Sequence, residues 1–98
     1  VADASALWKL ENFIECLDIW AALENPPDGL RRLVTTWIMS RSEDPYKGVR
    51  READQPNLWF GPVPDSARDG VVVACSFWIF ELTRTVKCNS FATLSLPI

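Results

Sequence analysis

The apolar positions of the first 42 residues fall at helical spacing. Leu7, Leu10, Ile14, Leu17 and Ala21 recur every three or four residues within residues 4–23, with Trp8, Phe13 and Trp20 beside them, and predict an amphipathic helix capped by Asp3. Glu11, Glu15 and Asp18 follow the same spacing on the opposite side, so this helix presents an acidic face to water. It must end near Glu24, because Pro26 disfavours helical geometry at Asn25. Asn25 is then placed to cap a second helix, with Pro26 at its first position and Asp28 near the positive end of its dipole. Leu30, Leu33, Val34, Trp37 and Ile38 supply the buried stripe of that helix, and Asp44-Pro45 closes it. Together the two helices predict an antiparallel hairpin over residues 4–42.

Beyond this point the period changes. Residues 43–56 read as a loop, and the segment 57–63 (NLWFGPV) as a short aromatic strand whose Pro62 cannot donate to a ladder. The turn signal 64–70 (PDSARDG) follows, and residues 71–81 and 85–95 then alternate on either side of Leu82-Thr83-Arg84, predicting an antiparallel strand pair. A turn centred on Thr83-Arg84 sets Glu81 opposite Val86, Ile79 opposite Cys88, Phe77 opposite Ser90, Cys75 opposite Ala92 and Val73 opposite Leu94. This register gives Val73, Cys75, Phe77, Ile79, Cys88, Ala92 and Leu94 to the helix-covered face. Val72, Ala74, Trp78, Phe80 and Phe91 are left on the reverse among Ser76, Lys87, Asn89 and Thr93. That reverse face is too apolar to be merely wet, so Trp78, Phe80 and Phe91, together with Trp59, become candidate contacts for a protein partner or a second copy. The fold class expected is α+β: one domain over residues 1–98, with a helical hairpin on one face of a three-stranded antiparallel sheet over 57–95, or a four-stranded one if residues upstream supply a strand.

Composition narrows the chemistry. A chain of 98 residues has room for one core, and 48% apolar with 23% charged residues is the usage of a folded soluble domain. The charge-free stretches 71–80 and 88–98 fall short of the roughly 20 apolar residues that a membrane helix needs. Histidine is absent, which removes histidine-based triads, Cys-His dyads and HExxH zinc sites, and no other catalytic constellation is recognisable. The chain therefore reads as a non-enzyme sooner than as an enzyme, with the question left open, and no cofactor or metal is expected. Glu11, Glu15 and Asp18 show no burial cue that would make them an acid/base pair or metal ligands.

A net charge of −3 argues against unspecific binding to nucleic acid or anionic membranes. The distribution is uneven, however. Between residues 31 and 51 six bases meet two acids, and Arg41, Lys47, Arg50 and Arg51 lie near Tyr46 and Trp59, the mixture of charge and stacking surface that RNA binding uses. Glu43, Asp44, Glu52 and Asp54 interleave with them, so surface ion pairing is the favoured reading. Cys16, Cys75 and Cys88 form no CxxC pair. The register above separates Cys75 from Cys88 by roughly 13 Å, so all three are expected as free, mostly buried thiols. Without a disulfide framework or a secretory signal, the expected compartment is the cytoplasm.

A helical hairpin, a basic loop and aromatic strand over residues 44–63 (DPYKGVRREADQPNLWFGPV), and a strand pair over 71–94 with Arg84 in its turn resemble the RelE/ParE superfamily of small toxins from toxin–antitoxin pairs. The resemblance covers about two thirds of the chain and rests on element order. It implies a strand ahead of the first helix, for which residues 1–6 are too short. It also marks Lys47, Arg50, Arg51, Arg84 and Lys87 as the basic residues that would meet RNA or another anion, with no general base beside them. The function expected is a protein-binding module, a RelE/ParE-like toxin-type domain acting by contact. The rival is an acidic inhibitor, immunity or antitoxin-type protein that masks a basic enzyme with Glu11, Glu15 and Asp18; a ribosome-dependent RNA-cleaving toxin ranks behind both.

Overall fold

The computed structural model describes residues 7–96. Its elements are β1 (Lys9–Glu11), α1 (Phe13–Glu24), α2 (Asp28–Ser40), β2 (Arg50–Arg51), β3 (Leu58–Pro62), β4 (Val71–Phe80) and β5 (Thr85–Ser95). The strands form one mixed sheet in the order β1-β5-β4-β3-β2, with β1 parallel to β5 and every other pair antiparallel. The expected three or four antiparallel strands are thus five. One extra strand lies within the predicted helix and the other within the predicted loop 43–56.

The single long helix expected over residues 4–23 is corrected to a strand and a helix, its start and its Asp3 cap lying outside the described residues. Asn12 takes a left-handed conformation (φ 65°), which an asparagine tolerates and a continuing helix does not. Its side-chain amide donates to the carbonyl of Cys88 at 3.1 Å, tying the junction to β5. Upstream of it, Trp8 N–H donates to Ser42 O and Lys9 N–H to Arg84 O, both at 2.8 Å, so residues 8–11 find their partners across the fold. With the helix beginning at Phe13, the buried stripe becomes Phe13, Cys16, Leu17 and Trp20, while Ile14 is 57% exposed.

The second helix keeps its predicted stripe, burying Leu30, Val34, Trp37 and Ile38. Its start is corrected. Asn25 closes α1 in a left-handed turn, its N–H donating to Ala21 O, and Pro27 in extended geometry precedes the first turn of α2.

The β4–β5 register also departs from expectation. Arg84 (φ 49°) closes a four-residue turn with its N–H on Glu81 O, so Phe80 faces Thr85 and Phe77 faces Cys88. A bulge follows, and Ser76 faces Ser90, leaving Asn89 as the extra residue of β5. One extra residue reverses every later side chain. Phe91 and Thr93 therefore turn towards the helices, and Ala92 and Leu94 turn away.

Phe91 stands at the centre of the core. Its ring lies 6.3–6.4 Å from those of Phe13, Trp20 and Trp37, while Phe13 and Trp37 also meet Phe77. Trp20 Nε1–H donates to Thr93 Oγ1 at 3.0 Å, so the indole is buried without an orphaned donor. Both helices pack against this one face of the sheet.

Candidate functional site on the outer sheet face

Among the described residues, the opposite face carries no helix. Strand pairing fixes what it presents in successive rows: Glu11, Lys87, Trp78 and Leu58; then Ser90, Ser76, Phe60 and Arg50; then Ala92, Ala74 and Pro62; then Leu94 and Val72. The second row is polar in the middle, where Ser76 Oγ and Ser90 Oγ are 3.2 Å apart and Asn89 Nδ2 donates to Ser76 Oγ at 2.9 Å. On one side of that row lie Trp78 and Phe80. On the other lies an apolar hollow of about 700 Å³ lined by Val49, Phe60, Pro62, Val72, Ala74 and Leu94, among others. Phe80 is 40% exposed, Leu94 49% and Leu96 39%, so large apolar side chains stand in water on both sides of that polar row.

Two of the four aromatic contacts expected from sequence, Trp78 and Phe80, lie on this face. Phe91 does not, because the bulge turns it into the core, where it is 8% exposed. Trp59 does not either: it pairs with Phe77 in register, so it points to the helix-covered side and packs edge-on against Tyr46 at 5.0 Å. Phe60, Pro62, Leu94 and Leu96 complete the surface instead. Alternation within 57–63 contained a signal for Phe60, since it sits two residues from Leu58 on the same face. Nothing in the sequence marked Leu94.

The basic residues do not converge. Arg41 is 3% exposed and its guanidinium lies 4.5 Å from the centre of the Trp37 ring. Arg51 pairs with Trp59 and so points to the opposite side of the sheet from Arg50, whose guanidinium is 5.0 Å from the Phe60 ring. Arg84 stacks on Trp8 at 4.5 Å. Lys47 is exposed in the segment before β2, and its carbonyl accepts from Arg41 Nη1 at 2.8 Å. The outer face therefore carries Arg50 at one edge and Lys9 and Lys87 at the other, separated by the width of β3 and β4, with Glu11 beside Lys87.

The acidic face expected of the first helix is also divided. Glu11 belongs to β1, and Asp18 of α1 is paired with Arg31 of α2 at 3.4 Å, so the three carboxylates do not form one free helical face. The displaced ionisations lie away from the outer face. Burial and a bond to Glu81 raise the Tyr46 hydroxyl to about 12, and burial with the Cys88 contact raises Cys16 to about 12. Cys88 is pushed up by its contact with Cys75 and by burial, and Arg41 is lowered by burial. No cluster of histidine, cysteine or carboxylate side chains with metal-binding geometry occurs among the described residues. No helix among them is long and apolar enough to cross a membrane.

No family model and no curated protein matches this chain. Among solved structures it is similar to a mutant of the E. coli toxin RelE in the free state, with a TM-score of 0.60 and 11% identity over 88% of this chain and 82% of that one. β1 supplies the strand ahead of the first helix that the resemblance implied, in residues whose spacing suggested a helix. The chain has a RelE-like fold.

Proposed function

We propose that this protein is a toxin-type domain that acts through protein contact, and that the contact surface is the outer face of the sheet. The observation that carries the reading is the character of that face. It is apolar over Trp78, Phe80, Phe60, Pro62, Leu94 and Leu96, carries few charges, and is hollowed over about 700 Å³. Its cytoplasmic placement belongs to the same proposal.

An RNA-cleaving role asks for a converging set of cations, because the attraction to phosphate scales with the number of phosphates neutralised. Arg41 is buried, Arg51 faces the other way, and Arg84 stacks on Trp8 at the end of the β4–β5 turn. That placement favours contact over cleavage.

Induced expression in E. coli tests the reading. The chain should arrest growth with cellular mRNA intact by primer extension, and a Phe80→Asp, Leu94→Asp double variant that keeps its circular dichroism spectrum should relieve the arrest. Cleaved mRNA whose appearance is abolished by Arg50→Ala with Arg51→Ala would replace contact with RNA cleavage. An arrest that the outer-face variant leaves untouched would remove the assigned surface.

A further inference from the structure

The register of β4 and β5 brings two thiols together. Cys75 faces Phe91 and Cys88 faces Phe77, so the two cysteines are diagonal neighbours across β4 and β5, and their sulfurs are 3.8 Å apart in the core. They are free and among the most deeply buried side chains, at 2% and 0% exposure. A disulfide needs about 2.05 Å between sulfurs, so for diagonal neighbours closing the gap asks for a small backbone shift at the bulge as well as side-chain rotation. Cys16 completes the cluster from α1, its sulfur 3.6 Å from Asn89 O and 3.9 Å from Cys88 O.

A buried cation accompanies this pair. Arg41 donates from Nη1 to Pro45 O and Lys47 O and from Nη2 to Ser40 Oγ, while its Nε has no hydrogen-bond partner among the described residues. Its charge interacts favourably with Cys75 and with Asp44, whereas Cys16 and Cys88 both feel the unfavourable charge of Glu15. Of the three cysteines, Cys75 is thus the one that lies in the field of the buried cation.

We propose that Cys75 and Cys88 are a latent disulfide pair, closed by hydrogen peroxide, that locks the β4–β5 register across its bulge. The Cys75 thiolate attacks one peroxide oxygen and the O–O bond breaks. The departing hydroxide takes up the thiol's proton as water, and Cys75 becomes a sulfenic acid. The Cys88 sulfur then displaces the hydroxyl from Cys75 Sγ, and its own proton leaves with that hydroxyl as a second water. Two thiols lose two electrons and two protons, and one peroxide becomes two waters. Cys16 remains a thiol. The bridge fixes the one irregularity that turns Phe91 inwards and Leu94 outwards, and so holds the composition of both sheet faces.

The test exposes the native chain to millimolar peroxide, quenches it, and alkylates it after unfolding. The expected product is lighter by about 2 Da, has one alkylatable thiol in place of three, and yields a single linked peptide joining Cys75 to Cys88 that dithiothreitol separates. Its unfolding constant should be about a hundredfold smaller than that of the reduced chain, the effect expected for a closed loop of this length. In a Cys88→Ser variant, dimedone should trap the sulfenic acid at Cys75. Three intact thiols after an exposure that oxidises the urea-unfolded chain would overturn the proposal. So would a bridge that includes Cys16, or a dimedone adduct at Cys16 in the variant.

Discussion

The two faces of the central sheet are built from the same strands and have opposite fates. On the covered face Phe77 is 0% exposed and Phe91 8%, and both are fixed by rings from α1 and α2. On the outer face Leu94, three residues beyond Phe91, is 49% exposed. Strict alternation would set Phe91 and Leu94 on opposite faces too, but with the assignments exchanged. Hydrophobicity alone thus does not decide which side of a strand is core. A single extra residue in β5 does, because side-chain direction has period two and any insertion inverts it downstream.

Truncations at these two positions give the sharpest contrast. Phe91→Ala removes the ring around which Phe13, Trp20 and Trp37 are arranged and should cost about 3–5 kcal/mol in chemical denaturation, enough to unfold a marginal domain. Leu94→Ala should cost less than about 1 kcal/mol, since half of that side chain is already in water. A larger cost at Leu94 than at Phe91 would show that the bulge is absent in solution and that the faces are exchanged.

A smaller effect tests how the segment before β2 is seated against the sheet. A Cβ on Gly61 would lie 2.9 Å from both Gly48 O and Val49 Cγ1 and 3.2 Å from Val49 Cα, and the two backbone atoms among these cannot easily give way. Gly61→Ala should therefore lose about 1–3 kcal/mol by thermal unfolding. An unchanged midpoint would mean that residues 48 and 49 do not rest on β3, and that the hollow they help to line is wider than described.

The smallest effect is read from pH. Tyr46 donates its hydroxyl to Glu81 and packs on Trp8 and Trp59, and its ionisation is raised from 10 to about 12 by burial first and by the Glu81 bond second. Between those values the unfolded chain has released the proton and the folded chain keeps it. The stabilisation is therefore complete below about pH 10 and is lost as pH rises towards 12. Tyr46→Phe should flatten the fall in stability over that window. A variant with the same alkaline slope as the parent would show that Tyr46 does not hold its proton in the fold.

Some of this architecture could be read from the chain. α2 was legible because its stripe of Leu30, Val34, Trp37 and Ile38 is long and its polar face is clean. The strand pair at the C-terminal end was legible because two alternating runs flank a short turn. Trp78 and Phe80 could be placed on the outer face, since β4 carries no extra residue and their parity is local to that strand. The element order sufficed to suggest a RelE/ParE-like arrangement, and the fold is RelE-like.

What the sequence determined by itself is thus the set of apolar segments, their local period and their order, because those depend on neighbours a few residues apart. Tertiary structure decided the rest. Lys9–Glu11 is a strand because its backbone finds β5 alongside it, and Arg50–Arg51 because β3 lies beside it; neither run is long enough to reveal a period. The turn at Arg84 and the bulge at Asn89 set the register, and with it the burial of Phe91, the exposure of Leu94 and the 3.8 Å approach of Cys75 to Cys88. These depend on pairing between residues distant in the chain, where an offset of one or two positions leaves the local pattern intact and reassigns every side chain beyond it.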